Sequence, residues 1–592
     1  MKAFLKTALA SAFGMLIGTF ISIFLVVIVI VAIVQGAKRS NYEQIEEKSI
    51  LHLRMRGQLV EVHRPLDFEI FGERSIFTED RTIGLFELSQ AIDIAKEDSR
   101  IDGIYLELRD LDAGWAGLTT LRRKLEEFKE SGKFVWAFGD RYDELNYYLA
   151  SVAHKIYIQP SGDVEFNGFG MNAPFFKGLF EKLDVTPKVF RVGKFKAAVE
   201  PFILDKMSDE NREQTQVLLS DLWANVRQPV EKMLSVDAAR VDEIASNLLV
   251  VSAAQGKELG LFADTLFEDE VERLMAHHTV GEGDEPKFVT VGHLLTDRAS
   301  VTKTGRSAKN KIAVVLAEGE IESGEGSRDS IGSEGFRQDI LDARADEDVA
   351  AIVVRINSPG GDALASDVIW RELLEADKEV PVVISMGDVA ASGGYYMASA
   401  GRYIFAEPTT ITGSIGVFGL MFNTQAFFNK KTGIVFDRVV THPHADIGDP
   451  NRPMSEAEGK VIQSEVERVY KRFLDVVEEG RGYQNRADLE KIAEGRVWSG
   501  TRAKELGLVD ELGGLDQAIK KAAEYAKVES DYKIELIPYV RDPLTEIVER
   551  IGGGAMLRVI TDKFPQLKEL ARTVKFPEPG IYTRLPFDIK IR

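Results

Sequence analysis

The apolar positions of this chain change rhythm along its length, and the changes divide it. No charged side chain occurs from residue 7 to 37, and 13–34 is almost wholly apolar. A helix there would cross roughly 30 Å of hydrocarbon. That run is too long for the apolar region of a cleaved leader, and 34–37 makes a poor cleavage site, so residues 1–40 are expected to form an uncleaved membrane anchor. After a mixed connecting region at 41–82, with one strand-like piece at 49–54, short β-branched runs alternate with stretches of helical period. In the second half, 312–317, 351–356, 381–386 and 403–406 read as strands, and 333–345 and 363–376 as helices. This is the pattern of a parallel sheet with helical crossovers. A longer amphipathic helix is predicted over 454–479, where Ile462, Val466, Val469, Phe473 and Val477 recur at steps of three and four. Residues 324–335, rich in Gly, Ser and charge, read as a surface loop.

The chain also repeats itself. KELGL occurs at 257–261 and again at 504–508, and Met207-Ser208 recurs at the same shift as Met454-Ser455. With one residue of drift, Gly139-Asp140 falls on Gly387-Asp388, Tyr147-Tyr148 on Tyr395-Tyr396, Pro160 on Pro408 and Gly168 on Gly416. A tandem duplication follows. The expected organisation is an anchor at 1–40, a connecting region at 41–82, a first α/β repeat at 83–280, a polar linker at 281–311, a second repeat at 312–545 and a C-terminal extension at 546–592.

Composition narrows the function. With 74 basic against 94 acidic residues the formal charge is −20, which argues against nucleic acid or an anionic membrane surface as the main partner. The chain has no cysteine, so disulfides, thiolate catalysis and cysteine zinc sites are excluded. It has no HExxH or comparable metal motif, and no cofactor is expected.

The candidate chemistry sits where the strand at 381–386 gives way to a helix, at Ser392-Gly393-Gly394. A serine on such a turn holds its hydroxyl outward, the glycines admit a substrate backbone, and the first N–H groups of the helix favour a developing negative charge. Upstream, the strand at 351–356 runs into a second glycine turn, Asn357-Ser358-Pro359-Gly360-Gly361. Shifted by the repeat, Ser392 corresponds to Glu144, and Arg109 to Ala113 replace the second turn. The first half therefore cannot do serine chemistry.

The paired turns resemble those of the signal peptide peptidase A family, Ser/Lys proteases of the crotonase/ClpP-like spiral fold. The resemblance implies a fold of two such α/β repeats preceded by one transmembrane helix. It also implies that the longer members take their lysine from the first repeat, which falls here on Lys196 of GKFKAAVEPF. Ala197 and Ala198 would let Lys196 pack among apolar neighbours, and desolvation would lower its pKa toward neutrality. Nearby Lys194 reads as a solvated charge. Gly360, Gly361 and Gly393 are the oxyanion-hole candidates, and Ser414 in Thr412-Gly413-Ser414-Ile415-Gly416 matches a further family motif. Asp388 is expected to cap the helix that carries Ser392.

Further implications of the resemblance are signal peptides and other short apolar peptides as substrates, a homotetramer, and an inner-membrane anchor with the catalytic region on the periplasmic side. Lysines on both sides of residues 13–34 leave charge alone unable to orient the anchor. Three alternatives stay open. His442 and His444, the repeat counterparts of Lys194 and Lys196, could make a Ser/His pair within the second half. A crotonase-type acyl-CoA enzyme would use the same N–H groups without needing Ser392. A catalytically silent membrane scaffold would need neither.

Overall fold

The two halves build parallel sheets with the same strand order. In the first, the neighbours are Phe288–Thr290, Ser49–Val60, Ile101–Asp112, Phe134–Gly139, Lys155–Ile158 and Asp264–Thr265, with Thr82–Gly84 also on Ser49–Val60. In the second, they are Tyr532–Ile537, Asn310–Glu318, Val349–Ser358, Val382–Ala391, Tyr403–Ala406 and Glu511–Leu512. The computed structural model describes residues 45–62, 82–297, 308–327, 329–528, 531–537 and 580–584. The expected anchor at 13–34 lies outside them. Among the described residues no helix is long and apolar enough to cross a membrane.

The duplication extends to single bonds. Tyr147 Oη donates to Leu261 O at 3.0 Å, and its counterpart Tyr395 Oη donates to Leu508 O at 2.8 Å. Helices Asp209–Leu234 and Glu456–Arg481 each have 26 residues and are capped by the equivalent serines Ser208 and Ser455. The second carries the expected apolar face, with Val466, Phe473 and Val477 in the core and Ile462 and Val469 packed against it.

Sheet strands reach into three stretches outside the main predicted elements. The strand-like piece at 49–54 is the start of a twelve-residue strand, Ser49–Val60, beside Ile101–Asp112. Its polar His52 is buried, stacked on Tyr105 at 4.7 Å and 2.8 Å from Glu107 Oε2, so the alternation of polar and apolar residues does not report its burial. Within the polar stretch 281–311, Phe288–Thr290 adds an edge strand and Val291–Thr296 packs on helix Leu85–Glu97. The loop at 324–335 forms the short antiparallel pair Gly326–Ser327 and Ser330–Gly332 before helix Ser333–Ala345 begins.

That pair is one end of a third sheet, ordered Gly326–Ser327, Ser330–Gly332, Glu320–Glu322, Gly360–Asp362, Gly580–Arg584, Val417–Asn423 and Thr186–Val192. Here the halves join. Thr186–Val192 of the first runs antiparallel to Val417–Asn423 of the second, from Val192 opposite Val417 to Thr186 opposite Asn423.

Charged groups between the halves are paired out of water. Glu407, buried, accepts from Thr120 Oγ1 at 2.6 Å and Arg123 Nη1 at 2.7 Å. Asp388 does not cap its own helix: it accepts from Ala116 N at 2.8 Å and Gly117 N at 3.1 Å, and so caps helix Trp115–Lys129 of the other half. Gly114 is required there, since a Cβ would lie 1.9 Å from the Asp388 carboxyl carbon. Fully buried Arg355 donates to Glu61 Oε2 at 2.9 Å, to Ser385 Oγ at 2.9 Å and to Met386 O at 2.6 Å. Removing one member of such a pair leaves the other charged and dry. Arg355→Ala is expected to lower unfolding stability by about 3–5 kcal/mol, read from denaturant melts.

Candidate active site

Strand Val382–Ala391 ends at Ser392, and helix Gly393–Ala398 starts one residue later. Such an abrupt change leaves Ser392 at φ 55°, ψ −114°, a conformation that costs a non-glycine residue of order 1–3 kcal/mol. Its N–H is held by Gly413 O at 2.8 Å. Gly394 has a steric reason to be glycine, because a Cβ there would come within 2.8 Å of Ser358 O on the neighbouring turn.

Across from this turn stands Lys196. After strand Thr186–Val192 the chain turns through Gly193, and Lys196 immediately precedes the short 3-10 helix Ala197–Val199. Lys196 Nζ lies 2.8 Å from Ser392 Oγ and donates to Ser414 O at 3.1 Å and Ser414 Oγ at 3.0 Å. All three residues are fully buried. Desolvation lowers the Lys196 pKa well below the ordinary lysine value. A neutral amine has two hydrogens and one lone pair, so Ser414 takes the hydrogens and the Ser392 hydroxyl can donate to the lone pair.

The second half walls this amine in with glycines that the sequence reading did not single out for that purpose. A Cβ on Gly495 would meet Lys196 Cβ at 2.6 Å, and one on Gly416 would meet Gly495 Cα at 2.7 Å and Lys196 Cδ at 3.3 Å. Backbone bonds fix the same segment: Phe195 N donates to Glu494 O at 3.1 Å, Gly495 N to Ile415 O at 2.7 Å and Ser414 N to Arg496 O at 2.7 Å. Gln214, also missed, donates to Phe195 O at 3.1 Å and accepts from Val497 N at 3.2 Å. Neither Gly495 nor Gln214 sits in a repeated motif, so only their placement in space exposes them.

The other candidates separate. Lys194 is exposed and 3.4 Å from Glu494 Oε2. His444, exposed, lies 3.2 Å from Glu458 Oε1, and His442 contacts Thr441. The structure brings lysine, not histidine, to Ser392. Gly393 opens its helix, so its N–H has no acceptor within that helix. Gly360 N donates to Ser358 Oγ at 3.2 Å, and Gly361 lies opposite Ile321 in the third sheet. In the first half the corresponding place is filled by Glu144, whose Oε1 accepts from Asn167 N at 2.6 Å and Gly168 N at 2.8 Å. Burial raises the pKa of that carboxyl.

A strained serine beside a desolvated amine, on a parallel α/β frame, is the arrangement of a serine hydrolase. Two segments of the sequence, 127–280 and 375–529, match Peptidase family S49. Protease 4 of Salmonella typhi is 36% identical over 504 residues, covering 83% of this chain and 80% of that one. The chloroplastic serine protease SPPA of Arabidopsis thaliana is 32% identical over 518 residues, covering 86% and 74%. A putative signal peptide peptidase SppA of Enterococcus faecium is 32% identical over 210 residues, covering 35% and 60%. Among solved structures, a ClpP1 mutant of Listeria monocytogenes covers 35% of this chain and 94% of its own at 20% identity and a TM-score of 0.24, too distant to bear on the argument. The chain belongs to Peptidase family S49, in two copies, and is a serine protease. The acyl-CoA enzyme and the silent scaffold are thereby set aside.

Because Gly495 leaves no room for a side chain, Gly495→Ala is expected to displace Lys196. A misplacement of about 1 Å costs on the order of 10²-fold in turnover. Peptide hydrolysis should fall by that factor while the melting transition stays cooperative.

Proposed function

We propose that this serine protease is a membrane-anchored endopeptidase that degrades cleaved signal peptides and other short apolar peptides, with Ser392 as nucleophile and Lys196 as its base. One observation carries the reading: the 2.8 Å approach of Lys196 Nζ to Ser392 Oγ inside a fully buried pocket. Lys196, neutral, takes the hydroxyl proton as Oγ attacks the peptide carbonyl. It returns that proton to the leaving amine, and an acyl-enzyme remains. Water, deprotonated by the same amine, then releases the acid and regenerates Ser392. Gly393, with Gly360 and Gly361, supplies N–H groups for the oxyanion, each worth about 10²-fold or more. For Gly360 this requires its N–H to leave Ser358 Oγ. Ser414 orients the amine.

The names Protease 4 and signal peptide peptidase SppA among the relatives support the substrate class. We place the anchor at residues 1–40 in the inner membrane, with the remainder on the periplasmic side. We assign the base to a first crotonase/ClpP-like repeat, 83–280 extended by the strands Ser49–Val60 and Phe288–Thr290 of the same sheet, and the nucleophile to a second at about 312–545.

The assembly we propose is a homotetramer. Residues 434–440 are the repeat equivalent of Thr186–Val192, yet they form no strand, and Val435 and Val439 are 77% and 96% exposed. The equivalent of Val417–Asn423 is 169–175, also without a strand. Pairing 434–440 of one copy with 169–175 of the next repeats between copies the joint that Thr186–Val192 and Val417–Asn423 make within one. Such head-to-tail contacts close into a ring of four when each step turns the next copy by a quarter turn.

Turnover should rise with pH to a plateau along one limb, since the neutral fraction of the amine grows with pH. The limb should lie well below the ordinary lysine range, because burial depresses the Lys196 pKa. Lys196→Ala and Lys196→Arg should both abolish hydrolysis, since a guanidinium keeps its proton, while His444→Ala and Lys194→Ala retain most of the rate. Full activity in Lys196→Ala would remove the dyad. The double variant Val435→Asp, Val439→Asp should sediment as a smaller species than the parent; an unchanged mass would place the interface elsewhere.

A further inference from the structure

Gln214 has one end on each side of the reaction centre. Its Nε2 donates to Phe195 O at 3.1 Å, the carbonyl next to Lys196, and its Oε1 accepts from Val497 N at 3.2 Å. Strand Val497–Ser499 pairs antiparallel with Ile411–Gly413. Gly413 O holds the Ser392 N–H at 2.8 Å, and Arg496 O holds the Ser414 N–H at 2.7 Å. One carboxamide therefore joins the turn that carries the base to the strand pair that anchors the nucleophile and Ser414.

The orientation of this amide is fixed from behind. Glu200, fully buried, accepts from Ser208 N at 3.2 Å, Ser208 Oγ at 2.5 Å and Asn211 Nδ2 at 3.0 Å. A carboxylate only accepts, so Asn211 turns its NH2 toward Glu200 and its Oδ1 toward Gln214, whose Nε2 donates to it at 3.2 Å. That leaves Gln214 Oε1 for Val497. The duplicated helix shows that the fold does not need this chain of bonds. Three and six residues after the capping serine, helix Asp209–Leu234 has Asn211 and Gln214, both buried. At the same places helix Glu456–Arg481 has Glu458, which pairs with Arg452 and His444, and Val461, which is 58% exposed. Only the half that presents the base carries the amides.

Charged groups packed around the Lys196 turn are paired with one another: Lys194 with Glu494, Arg191 with Glu200 and Arg496 with Glu213. Burial is what depresses the Lys196 pKa, and burial lasts only while the turn stays docked.

We infer that Gln214 is a positioning residue for the reaction, locking the Lys196 turn onto the strand pair that anchors Ser392 and Ser414, with Glu200 setting the direction of its hydrogen bonds through Asn211. This rests on the reading of Lys196 as base. Without the lock the amine moves off Ser392 Oγ and water reaches it. The first change lowers kcat. The second returns the amine toward the ordinary lysine value, so the rising limb of the pH profile moves to higher pH. Gln214 is buried among protein groups, so KM keeps its value.

The test measures kcat, KM and the pH limb for two variants with a fluorogenic apolar peptide. Gln214→Leu removes both bonds, and the isosteric Gln214→Glu keeps the bond from Val497 N but, ionised, has no hydrogen for Phe195 O. Each should lose at least ~10-fold in kcat at its own plateau, keep KM within about twofold, and move the midpoint of the limb up by about one pH unit. Gln216→Leu, on the exposed side of the same helix, should match the parent in all three. A limb that stays in place in both Gln214 variants overturns the inference, whether kcat falls or not, because a merely structural loss leaves the amine titrating as before. Loss of cooperative melting in both variants overturns it too, since Gln214 would then serve folding. If Lys196→Ala keeps full activity, the base assignment fails instead; an inactive Lys196→Ala beside parental limbs in the Gln214 variants removes this inference alone.

Discussion

A lysine amine without water is the constraint around which this molecule is arranged. An isolated buried ammonium is costly, and the outcome is a depressed pKa rather than a buried charge. Burial of Lys196 cannot be achieved by its own half. The residues that exclude water from it, Gly416, Gly495 and the Ser414 turn, come from the second half. The two halves must therefore dock closely, and the antiparallel joint between Thr186–Val192 and Val417–Asn423 holds the Lys196 turn in place. Glycine is used where the two main chains approach too closely for a Cβ.

Duplication supplied two frames and one reaction centre. Both halves keep the strand order, the tyrosine that bonds back to a leucine carbonyl, and the capped 26-residue helix. They differ where the chemistry lies. Glu144 turns its carboxylate onto the N–H groups of Asn167 and Gly168, so the first half satisfies its own turn and presents no nucleophile. The second half keeps the serine but carries exposed histidines where the first has Lys194 and Lys196. Each half is incomplete, and their complementarity explains why charged pairs such as Glu407 with Arg123 and Arg355 with Glu61 are buried between them. A pair of this kind adds little net stability, but it strongly penalises separation of its partners.

Much of the frame was legible in the residues. The apolar runs at 351–356 and 403–406 and the helix at 333–345 follow from the pattern, because a parallel strand buried on both faces is mostly apolar, with the paired Arg355 as the exception, and a crossover helix carries one apolar stripe. The Ser392 turn was legible because a strand-to-helix reversal needs small residues at fixed offsets. Ser49–Val60 was harder to read beyond its first residues: Arg54 and Arg56 alternate outward with buried Leu53 and Met55, but His52 is buried where that alternation would turn it outward, and Gly57 and Gln58 end the apolar pattern. Asp388 was placed on the wrong helix because a capping carboxylate reads the same whether its partner is local or 270 residues away.

The sequence by itself determined the duplication, the α/β class, the loss of the serine from the first half and the resemblance that singled out Lys196 over Lys194 and the histidines. Only the tertiary structure decided that Lys196 meets Ser392, that Ser414 and Gly495 complete its surroundings, and that residues 580–584 lie beside the glycine turn. The physical reason is range. Propensity and periodicity act over a few residues, whereas desolvation of an amine and closure of a sheet depend on segments hundreds of residues apart in the chain.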